Sequence, residues 1–360
     1  MSVELSLEDV RVVLGGNEIL CGVSLDIAPG EFLTLLGPSG SGKTTTLNVI
    51  AGLVPSSGGD VRFDGKSVDK RPAHDRDIGL VFQSYALFPH MTVGENVSFP
   101  LRTRKVPKSQ WPATVDRMLE LVQMSGLAGR KVSSLSGGQQ QRIALARSLS
   151  PSPSVLLLDE PMAALDKQLR ETMQIELKRI HEEVGVTTVA VTHDQTEAMT
   201  MSDRVAIMRD GLLEQVGTPE ELYREPATLF AARFLGETNL VPVSGGRLEG
   251  FGAPASKPSG TAVLRPEDFC LAAEARDGLP TIAVTVVTAS YQGNRYRLDV
   301  DRGGGCEPMI VSLPPTTEPG AIAPGASLQL ALRYPDAVHV VDEEAGSEPP
   351  LVAADIVVPA

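Results

Sequence analysis

The segment GPSGSGKT carries residues whose types and spacing suit the phosphates of a nucleotide. It fits the pattern G-x-x-x-x-G-K-[ST], in which glycines let successive backbone N–H groups turn toward the β- and γ-phosphates. The lysine would reach the same oxygens, and the hydroxyl after it would ligate Mg²⁺. An apolar strand-like run precedes the segment and a helix-like run follows it, as such a loop requires. The predicted nucleotide-binding residues are Gly37, Pro38, Ser39, Gly40, Ser41, Gly42, Lys43, Thr44 and Thr45.

Two acidic residues end the apolar run SVLLLDEP. Asp159 suits the role of holding Mg²⁺, directly or through water. Glu160 would lie beside the γ-phosphate, where a carboxylate can polarise a water for attack. A solvent-facing acidic pair at a strand end is the ordinary alternative. The wholly apolar strand and the upstream phosphate loop favour catalysis, and hydrolysis is favoured over transfer because water is the obvious target of Glu160.

Gln83 and His193 also follow predicted strands, in GLVFQSY and AVTHDQT. A glutamine there can ligate Mg²⁺ and orient water, and a histidine there can donate a hydrogen bond to the γ-phosphate. A single glutamine is ordinarily a surface residue, and a single histidine is more often structural. Strand ends in this fold class are where ligands bind, which favours a role at the site. The predicted catalytic set is Glu160, His193 and Gln83, and the predicted metal ligands are Thr44, Gln83 and Asp159.

The segment LSGGQQQR resembles a second anion-binding loop, but it has no lysine. It opens the helical run SGGQQQRIALARSL, in which Ser136 is a natural N-cap. The backbone N–H groups of Gly137 and Gly138 would then be free at the positive end of a helix. This end of the helix is suited to a γ-phosphate.

Short apolar runs must position these residues. The runs at 31–37, 154–161 and 186–194 predict buried strands, and between the last two a helical stripe is expected at Leu169, Met173, Leu177, Ile180 and Val184. Strands that alternate with helices predict an α/β fold with a parallel sheet covered on both faces. After about residue 238 a Gly/Pro/Ser-rich segment leads into closely spaced β-type runs, which predict a small barrel or sandwich.

The composition of the chain limits the classes of partner and the cellular compartment that fit it. The chain has 360 residues, 42% of them hydrophobic and 21% charged, with a net charge of −13. The acidic excess argues against broad nucleic-acid binding, which needs excess Lys and Arg. Three cysteines without metal spacing (Cys21, Cys270 and Cys306) fit a reducing compartment. We expect no signal peptide and no membrane-spanning run, so work at a membrane would require docking on a protein that spans it.

The set of motifs, in this order and spacing, resembles the ATP-binding subunits of ABC transporters over roughly residues 4–237. The resemblance identifies Gly37–Thr45 as the nucleotide loop, Gln83 as the Q-loop glutamine, Asp159 and Glu160 as the Walker B pair, and His193 as the switch histidine. It implies an ATP hydrolase that uses ATP with Mg²⁺ and drives a transporter. It also implies a head-to-tail homodimer, in which each copy's signature meets the other copy's nucleotide; the residues acting in trans are Leu135, Ser136, Gly137, Gly138, Gln139 and Asp166.

The same resemblance predicts the domain organisation. An ABC ATPase domain with the P-loop NTPase fold would occupy residues 1–237, with a helical signature subdomain at about 84–150. Residues 238–360 resemble the regulatory β-barrel extension (OB/TOBE-like) of importer ATPases, with LRPEDF at 264–269 starting its main segment. An independent ligand-binding β domain is the alternative. The acidic last residues, including DEEAGSEPP, are expected to be loosely ordered.

Residues 84–101 resemble the importer branch, in which this segment receives a helix of the membrane subunit; Tyr85 and Phe88 are expected to be exposed there. The implied partners are two integral membrane permease subunits and, indirectly, an extracytoplasmic solute-binding protein, at the cytoplasmic face of the cell membrane. Two segments, residues 165–208 and FLGETNL, look most like the polyamine (spermidine/putrescine) group. Ferric iron, phosphonate, sulfate and sugar importers have similar ATPases and stay open.

Two positions depart from the family pattern. An aromatic residue usually stacks on adenine near the position of Leu14, whereas VRVVLGG offers only aliphatic side chains. Leu14 is therefore predicted to bind the nucleotide by packing on the adenine ring, but without a π-face. The residue that is often serine in the D-loop is Ala163, which removes one possible hydrogen bond across the dimer, typically worth about 1 kcal/mol. Because Glu160 and His193 are both present, hydrolytic activity is still expected.

Two other classes of protein are alternatives: a soluble ABC ATPase that acts on DNA or ribosomes, and a regulatory nucleotide binder. A soluble ABC ATPase that acts on DNA would insert a long coiled coil between the phosphate loop and the signature, and no sustained heptads occur there. A ribosome-acting ATPase would carry two ATPase domains, and this chain carries one set of motifs. A regulatory binder with an inactive site is opposed by the presence of Glu160.

Overall fold

The computed structural model describes residues 2–163, 165–276, 279–335 and 338–342. The chain forms two compact units, Met1–Tyr223 and Arg224–Ala360. The boundary after residue 237, predicted from composition, lies slightly farther along the chain than this division. Among the described residues, no helix combines the length and apolar character needed to cross a bilayer. The acidic C-terminal segment, for which loose order was predicted, lies outside the described residues.

The first unit contains the strands predicted from the apolar runs, together with several that the runs did not reveal. They are β1 (Leu5–Leu14), β2 (Asn17–Ile27), β3 (Phe32–Leu36), β4 (Gly58–Phe63), β5 (Lys66–Ser67), β6 (Ile78–Val81), β7 (Val155–Asp159), β8 (Thr187–Thr192), β9 (Arg204–Arg209) and β10 (Leu212–Gly217). Every residue of β3 and β8 is buried, which explains why these strands read as continuous runs and not as alternating ones.

Helices connect these strands. They are α1 (Lys43–Ala51), α2 (Val93–Thr103), α3 (Trp111–Leu121), α4 (Gly137–Leu149), α5 (Lys167–Val184), α6 (Gln195–Met201) and α7 (Pro219–Arg224). Helix α5 carries the predicted stripe, with Met173, Leu177 and Ile180 buried and Leu169 partly buried. Val184 departs from the expectation: it is 41% exposed, because it lies in the last turn, directly before the Gly185 C-cap.

In the described part of the chain, six strands form a sheet in the order β10-β9-β3-β8-β7-β6. All neighbours are parallel except β10 and β9, which form an antiparallel pair at one edge. The predicted parallel sheet is therefore confirmed. The carboxyl ends of β3, β8, β7 and β6 lie side by side along one edge of this sheet, because the four strands are consecutive and parallel.

A second sheet of the first unit, ordered β2-β1-β4-β5, is antiparallel. Its inner face packs on apolar residues of the parallel sheet and of α1, including Leu33, Leu35 and Leu47. The register of β1 against β2 shifts near Asp9, which has a φ of 46°. Such bulges interrupt the period-2 pattern, which is the physical reason that alternation along β1 did not predict the strand.

Helices α2, α3 and α4 form a helical region, and their apolar residues belong to one core with residues of the parallel sheet and of α5, such as Leu156 and Met173. Thr92 caps α2 through a capping box with Glu95, and Ser136 caps α4 in the same way through Gln139. Buried residues from the three helices meet in this core, among them Val97, Leu119 and Ile143. The packing of α4 against the other two helices thereby fixes the position of its N-terminus.

The second unit is built mainly from antiparallel strands, with one short helix, α8 (Leu229–Phe234), before them. Its strands are β11 (Asn239–Ser244), β12 (Arg247–Leu248), β13 (Ser259–Leu264), β14 (Phe269–Leu271), β15 (Thr281–Tyr291), β16 (Tyr296–Asp301), β17 (Met309–Leu313), β18 (Ser327–Leu332) and β19 (His339–Val341). Among the described residues they form two sheets, ordered β12-β11-β13-β19 and β14-β18-β15-β16-β17. The predicted all-β character of this region is confirmed.

The two sheets of the second unit share one apolar core, in which Phe269, Leu298 and Leu330 are fully buried. The motif LRPEDF lies at the edge of this core. Arg265 is buried and donates through a guanidinium nitrogen to the carbonyl of Ala232, at 2.9 Å. The motif thus holds a turn between β13 and β14 against α8.

Candidate nucleotide site

The predicted phosphate loop runs from the end of β3 into α1. Gly42 takes the N-cap position of α1 with a φ of 99°, and Gly40 has a φ of 84°. These left-handed conformations are costly for residues that carry a Cβ. At Gly37 a Cβ atom would lie only 2.3 Å from the carbonyl oxygen of Met208. The glycines of the motif are therefore required by the backbone path that leads into the helix.

Lys43 is folded back into the loop. Its Nζ donates to the carbonyl oxygens of Gly37 and Pro38, at 2.8 and 2.7 Å, and its side chain is almost fully buried. Burial lowers the pKa of the Lys43 ammonium, and the nearby carboxylate of Glu160 opposes that change. An ammonium held by carbonyl dipoles in a shielded loop is suited to exchange them for phosphate oxygens.

Thr44 and Asp159 supply the oxygens expected for Mg²⁺. The Thr44 hydroxyl donates to Asp159 Oδ1 at 3.3 Å, so both oxygens lie at one point beside the loop. Burial raises the pKa of Asp159, as does Glu160, while the hydrogen bond from Thr44 lowers it. Among the described residues there is no cluster of three or more His, Cys, Asp or Glu side chains that could hold a metal alone. A hydroxyl and one carboxylate instead fit Mg²⁺, which keeps several waters and takes substrate phosphates as ligands.

Glu160 is held from two sides. Its Oε2 accepts a hydrogen bond from Gln83 Nε2 at 3.0 Å, and its Oε1 lies 3.2 Å from His193 Nδ1. Glu160 also has a φ of 43°, a left-handed conformation that is strained for a residue with a Cβ. Its backbone N–H donates to the carbonyl of Val191, which ties the strained residue to β8. The three residues predicted as catalytic therefore meet at one point.

The sheet explains why these residues meet. The phosphate loop follows β3, His193 follows β8, Asp159 and Glu160 end or follow β7, and Gln83 lies two residues beyond β6. Those four strands are neighbours and parallel, so residues spread over most of the first unit arrive at one edge. The sequence order of the strands gives no hint of this adjacency.

The predicted trans-acting residues lie at the starts of two helices. Ser136 is the N-cap of α4, as predicted. Its hydroxyl accepts a hydrogen bond from the Gln139 N–H, and the side-chain oxygen of Gln139 accepts one from the Ser136 N–H. Asp166 caps α5 by accepting from the Leu169 N–H at 2.9 Å. Gly138 packs against Leu169, since a Cβ there would come within about 3.0 Å of that side chain. Their action across a dimer stays a prediction.

Two departures from the family pattern have clear locations. Leu14 ends β1 and is 47% exposed, so an aliphatic surface is available where adenine stacking was expected. Ala163 follows Glu160 and borders a small cavity that His193 also lines. The next D-loop residue, Ala164, lies outside the described residues.

The expectation of an exposed aromatic pair is wrong for Tyr85. Its ring is buried in the core of the helical region, while Phe88 is half-buried and packs on Phe99. The reason is a turn in which Tyr85 and Ala86 both have positive φ, at 60° and 44°, and which directs the tyrosine ring inward. Arg147 holds this turn, and sequence reasoning did not single it out.

Arg147 lies on α4 and is itself largely buried. It donates to the carbonyl oxygens of Tyr85 and Ala86, at 2.9 and 2.7 Å, and its guanidinium stands over the Phe88 ring at 5.5 Å. An arginine within the apolar run IALARSL was the available signal, because a buried arginine needs fixed partners. The signature helix and the segment after Gln83 are thereby joined.

We expect Tyr85→Phe to leave the free energy of unfolding unchanged or raised by up to about 1 kcal/mol. The Tyr85 hydroxyl is buried and has no hydrogen-bond partner among the described residues, so its removal relieves a desolvation cost. Tyr85→Ala, the matched control, should cost about 3–5 kcal/mol by leaving a cavity. Urea denaturation followed by the fluorescence of Trp111, the single tryptophan and a residue of the same unit, measures both. A loss above about 2 kcal/mol for Tyr85→Phe would show that the hydroxyl is bonded.

Comparisons with known proteins agree with this geometry. The ABC transporter family model matches residues 20–163, and the TOBE domain model matches residues 262–341. The spermidine/putrescine import ATP-binding protein PotA of Ruegeria pomeroyi is 50% identical over 296 residues, covering 77% of this chain and 81% of the relative. PotA of Marinobacter nauticus is 45% identical over 309 residues, covering 81% of this chain and 82% of the relative.

Among solved structures, this chain is similar to a dimeric post-hydrolysis state of the ATP-binding cassette MJ0796 bound to ADP and Pi, with a TM-score of 0.53 and 34% sequence identity. The matched region covers 60% of this chain and 98% of the MJ0796 chain. Together with the phosphate loop, the carboxylate pair and the signature helix, these likenesses confirm the predicted resemblance and the predicted fold class. The chain belongs to the ABC transporter family, as one of its ATP-binding proteins.

Proposed function

We propose that this protein hydrolyses ATP to drive the import of a polyamine, spermidine or putrescine, as the energy-coupling subunit of an ABC importer. The observation that carries the hydrolytic part is the convergence of Gln83, Glu160 and His193 beside the phosphate loop. The polyamine part rests on relatives that are 44–55% identical to this chain and are named spermidine/putrescine import ATP-binding proteins.

The chain's own residues account for the chemistry. Backbone N–H groups of the loop and the Lys43 ammonium bind the β- and γ-phosphates. The Glu160 carboxylate, free to rotate once Gln83 moves, orients and polarises the attacking water, which typically contributes 10²–10⁴-fold in rate. His193 donates a hydrogen bond to the γ-phosphate. Mg²⁺, when bound, neutralises developing charge on the phosphates, and Thr44, Asp159 and Gln83 would hold it.

Homodimer formation belongs to the same proposal. One chain carries one phosphate loop, one Glu160 and one signature, and the signature helix presents its positive end without a lysine. In a head-to-tail dimer that end would meet a γ-phosphate that the partner copy's loop already holds. Two permease subunits at the cytoplasmic face of the membrane, and an extracytoplasmic solute-binding protein, complete the proposed importer.

Solute-dependent turnover tests the proposal. The membrane subunits that copurify with the full-length chain would be reconstituted in vesicles with their solute-binding protein. We expect spermidine or putrescine, loaded on that protein, to raise ATPase activity several-fold, because the proposed function couples ATP hydrolysis to the import of that solute. If sulfate, phosphonate, ferric iron or a sugar stimulates turnover and polyamines do not, the polyamine assignment is wrong while the ATPase assignment stands.

A further inference from the structure

Arg170 lies one turn into α5 and contacts the segments on either side of the catalytic residues. One guanidinium nitrogen (Nη2) donates to the carbonyl of Leu165, directly before Asp166, at 3.1 Å. The other terminal nitrogen (Nη1) donates to Asp194 Oδ2, also at 3.1 Å. Asp194 is the residue that follows His193. A single side chain therefore joins the end of the D-loop to the loop that carries the switch histidine.

The loop around His193 is held on both sides. Asp194 caps α6 by accepting from the N–H groups of Thr196 and Glu197, at 2.8 and 3.2 Å. On the other side, the Thr192 hydroxyl donates to Glu197 Oε2 at 2.6 Å and accepts from the Asp194 N–H at 3.0 Å. Both neighbours of His193 thus belong to one network.

Glu197 closes that network onto Arg170. Its carboxylate is almost fully buried, and its Oε1 lies 3.7 Å from Arg170 Nε. Burial raises the pKa of Glu197, whereas the Thr192 hydrogen bond and the charge of Arg170 lower it. A buried carboxylate of this kind is costly without its cation. Removal of Arg170 would therefore loosen the carboxylates on which the backbone at His193 depends.

The same residues enclose a cavity next to Glu160. It has a volume of about 30 Å³ and is lined by Glu160, Ala163, Arg170, Thr192, His193, Asp194 and Glu197. A space of this size takes about one water molecule. The guanidinium thus borders the point at which His193 approaches Glu160, and does not lie on a remote surface.

We propose that Arg170 is a positioning residue for hydrolysis: it fixes the loop of His193 relative to the D-loop, so that the histidine stays in line with Glu160 and the γ-phosphate. The inference rests on the proposed roles of Glu160 and His193. Misplacement of a catalytic group by about 1 Å can cost about a hundredfold in rate. Arg170 is assigned no contact with the nucleotide or with the attacking water.

A second arginine of α5 provides a matched control. Arg179 donates to a backbone carbonyl, that of Leu121, at 2.6 Å, and it pairs with two carboxylates, those of Glu176 and Glu183. Arg170 likewise donates to one carbonyl and pairs with two carboxylates, those of Asp194 and Glu197. The two residues therefore make similar numbers of polar contacts from the same helix, and their removal should cost similar stability. Arg179, however, does not border the cavity beside Glu160.

The test compares Arg170→Gln, Arg170→Lys and Arg179→Gln in the full-length chain, by steady-state ATPase kinetics and thermal unfolding. We expect Arg170→Gln to lower kcat by about tenfold or more with KM for ATP unchanged, since nucleotide binding lies with Lys43 and its loop. Arg170→Lys should restore only part of kcat, because a single ammonium cannot reproduce the planar fork. Arg179→Gln should keep kcat while losing similar thermal stability.

A double variant separates this inference from the proposed function. In a His193→Ala background, Arg170→Gln should cause no further loss of kcat, because it acts through the histidine. If Arg170→Gln lowers kcat equally with and without His193, or no more than Arg179→Gln does, Arg170 is only structural and the inference fails. If His193→Ala alone retains full turnover, the proposed role of His193 fails instead.

Discussion

Glu160→Gln should reduce steady-state ATP hydrolysis by about 10²–10⁴-fold while leaving ATP binding intact. The amide has the shape of the carboxylate and can keep a hydrogen bond to Gln83, so the geometry of the site should survive. It cannot act as a base, and it carries no charge to polarise water. Lys43, Thr44 and the loop N–H groups, which bind the phosphates, are unchanged.

Phosphate release and the binding of a fluorescent ATP analogue measure the two properties separately. Glu183→Gln is the matched control, because it neutralises an exposed glutamate of α5 that pairs with Arg179, away from the loop. It should retain wild-type turnover. Wild-type turnover in Glu160→Gln would overturn the assignment of Glu160, whereas loss of binding would show that the variant disturbs the phosphate loop.

Ser136→Arg should abolish ATP-dependent dimerisation while the single chain still binds ATP. Ser136 is exposed at the N-cap of α4, at the end proposed to meet the other copy's γ-phosphate. A long cationic side chain there would fill the interface and oppose the positive helix end. The lost cap itself costs only about 1 kcal/mol, too little to unfold the chain.

Sedimentation with saturating ATP, in the Glu160→Gln background that prevents turnover, measures the dimer directly. Thr92→Arg is the matched control, since Thr92 caps α2 through the same kind of capping box. That control loses an equal cap in the same unit and should still dimerise. An unchanged dimer in Ser136→Arg would place the signature outside the interface.

The candidate site residues could be predicted because each chemical motif lies within a short stretch of sequence. The phosphate loop, the pair Asp159–Glu160 and the capping pattern at Ser136 each need neighbours only a few residues away. The parallel sheet was also predictable, because β3 and β8 are buried on both faces and therefore appear in the sequence as unbroken apolar runs.

What the sequence did not reveal depends on long-range contacts. Tyr85 is buried because its backbone turns through positive φ under the guanidinium of Arg147, which lies 62 residues later. The link from Arg170 to Asp194 likewise spans 24 residues and follows from the packing of α5 beside α6. Strand β1 was missed because its bulge near Asp9 breaks the alternation. In each case tertiary structure overrides a local pattern.

The most direct test of the composite site mixes the Glu160→Gln and Ser136→Arg chains. In a head-to-tail pair of unlike chains, one site carries both defects. The other site joins an intact phosphate loop and Glu160 from one chain to an intact signature from its partner. ATPase activity of the mixture should therefore rise well above the sum of the two chains measured separately. Activity equal to that sum, in a mixture from which the two differently tagged chains copurify with ATP, would contradict hydrolysis at a site shared between two copies.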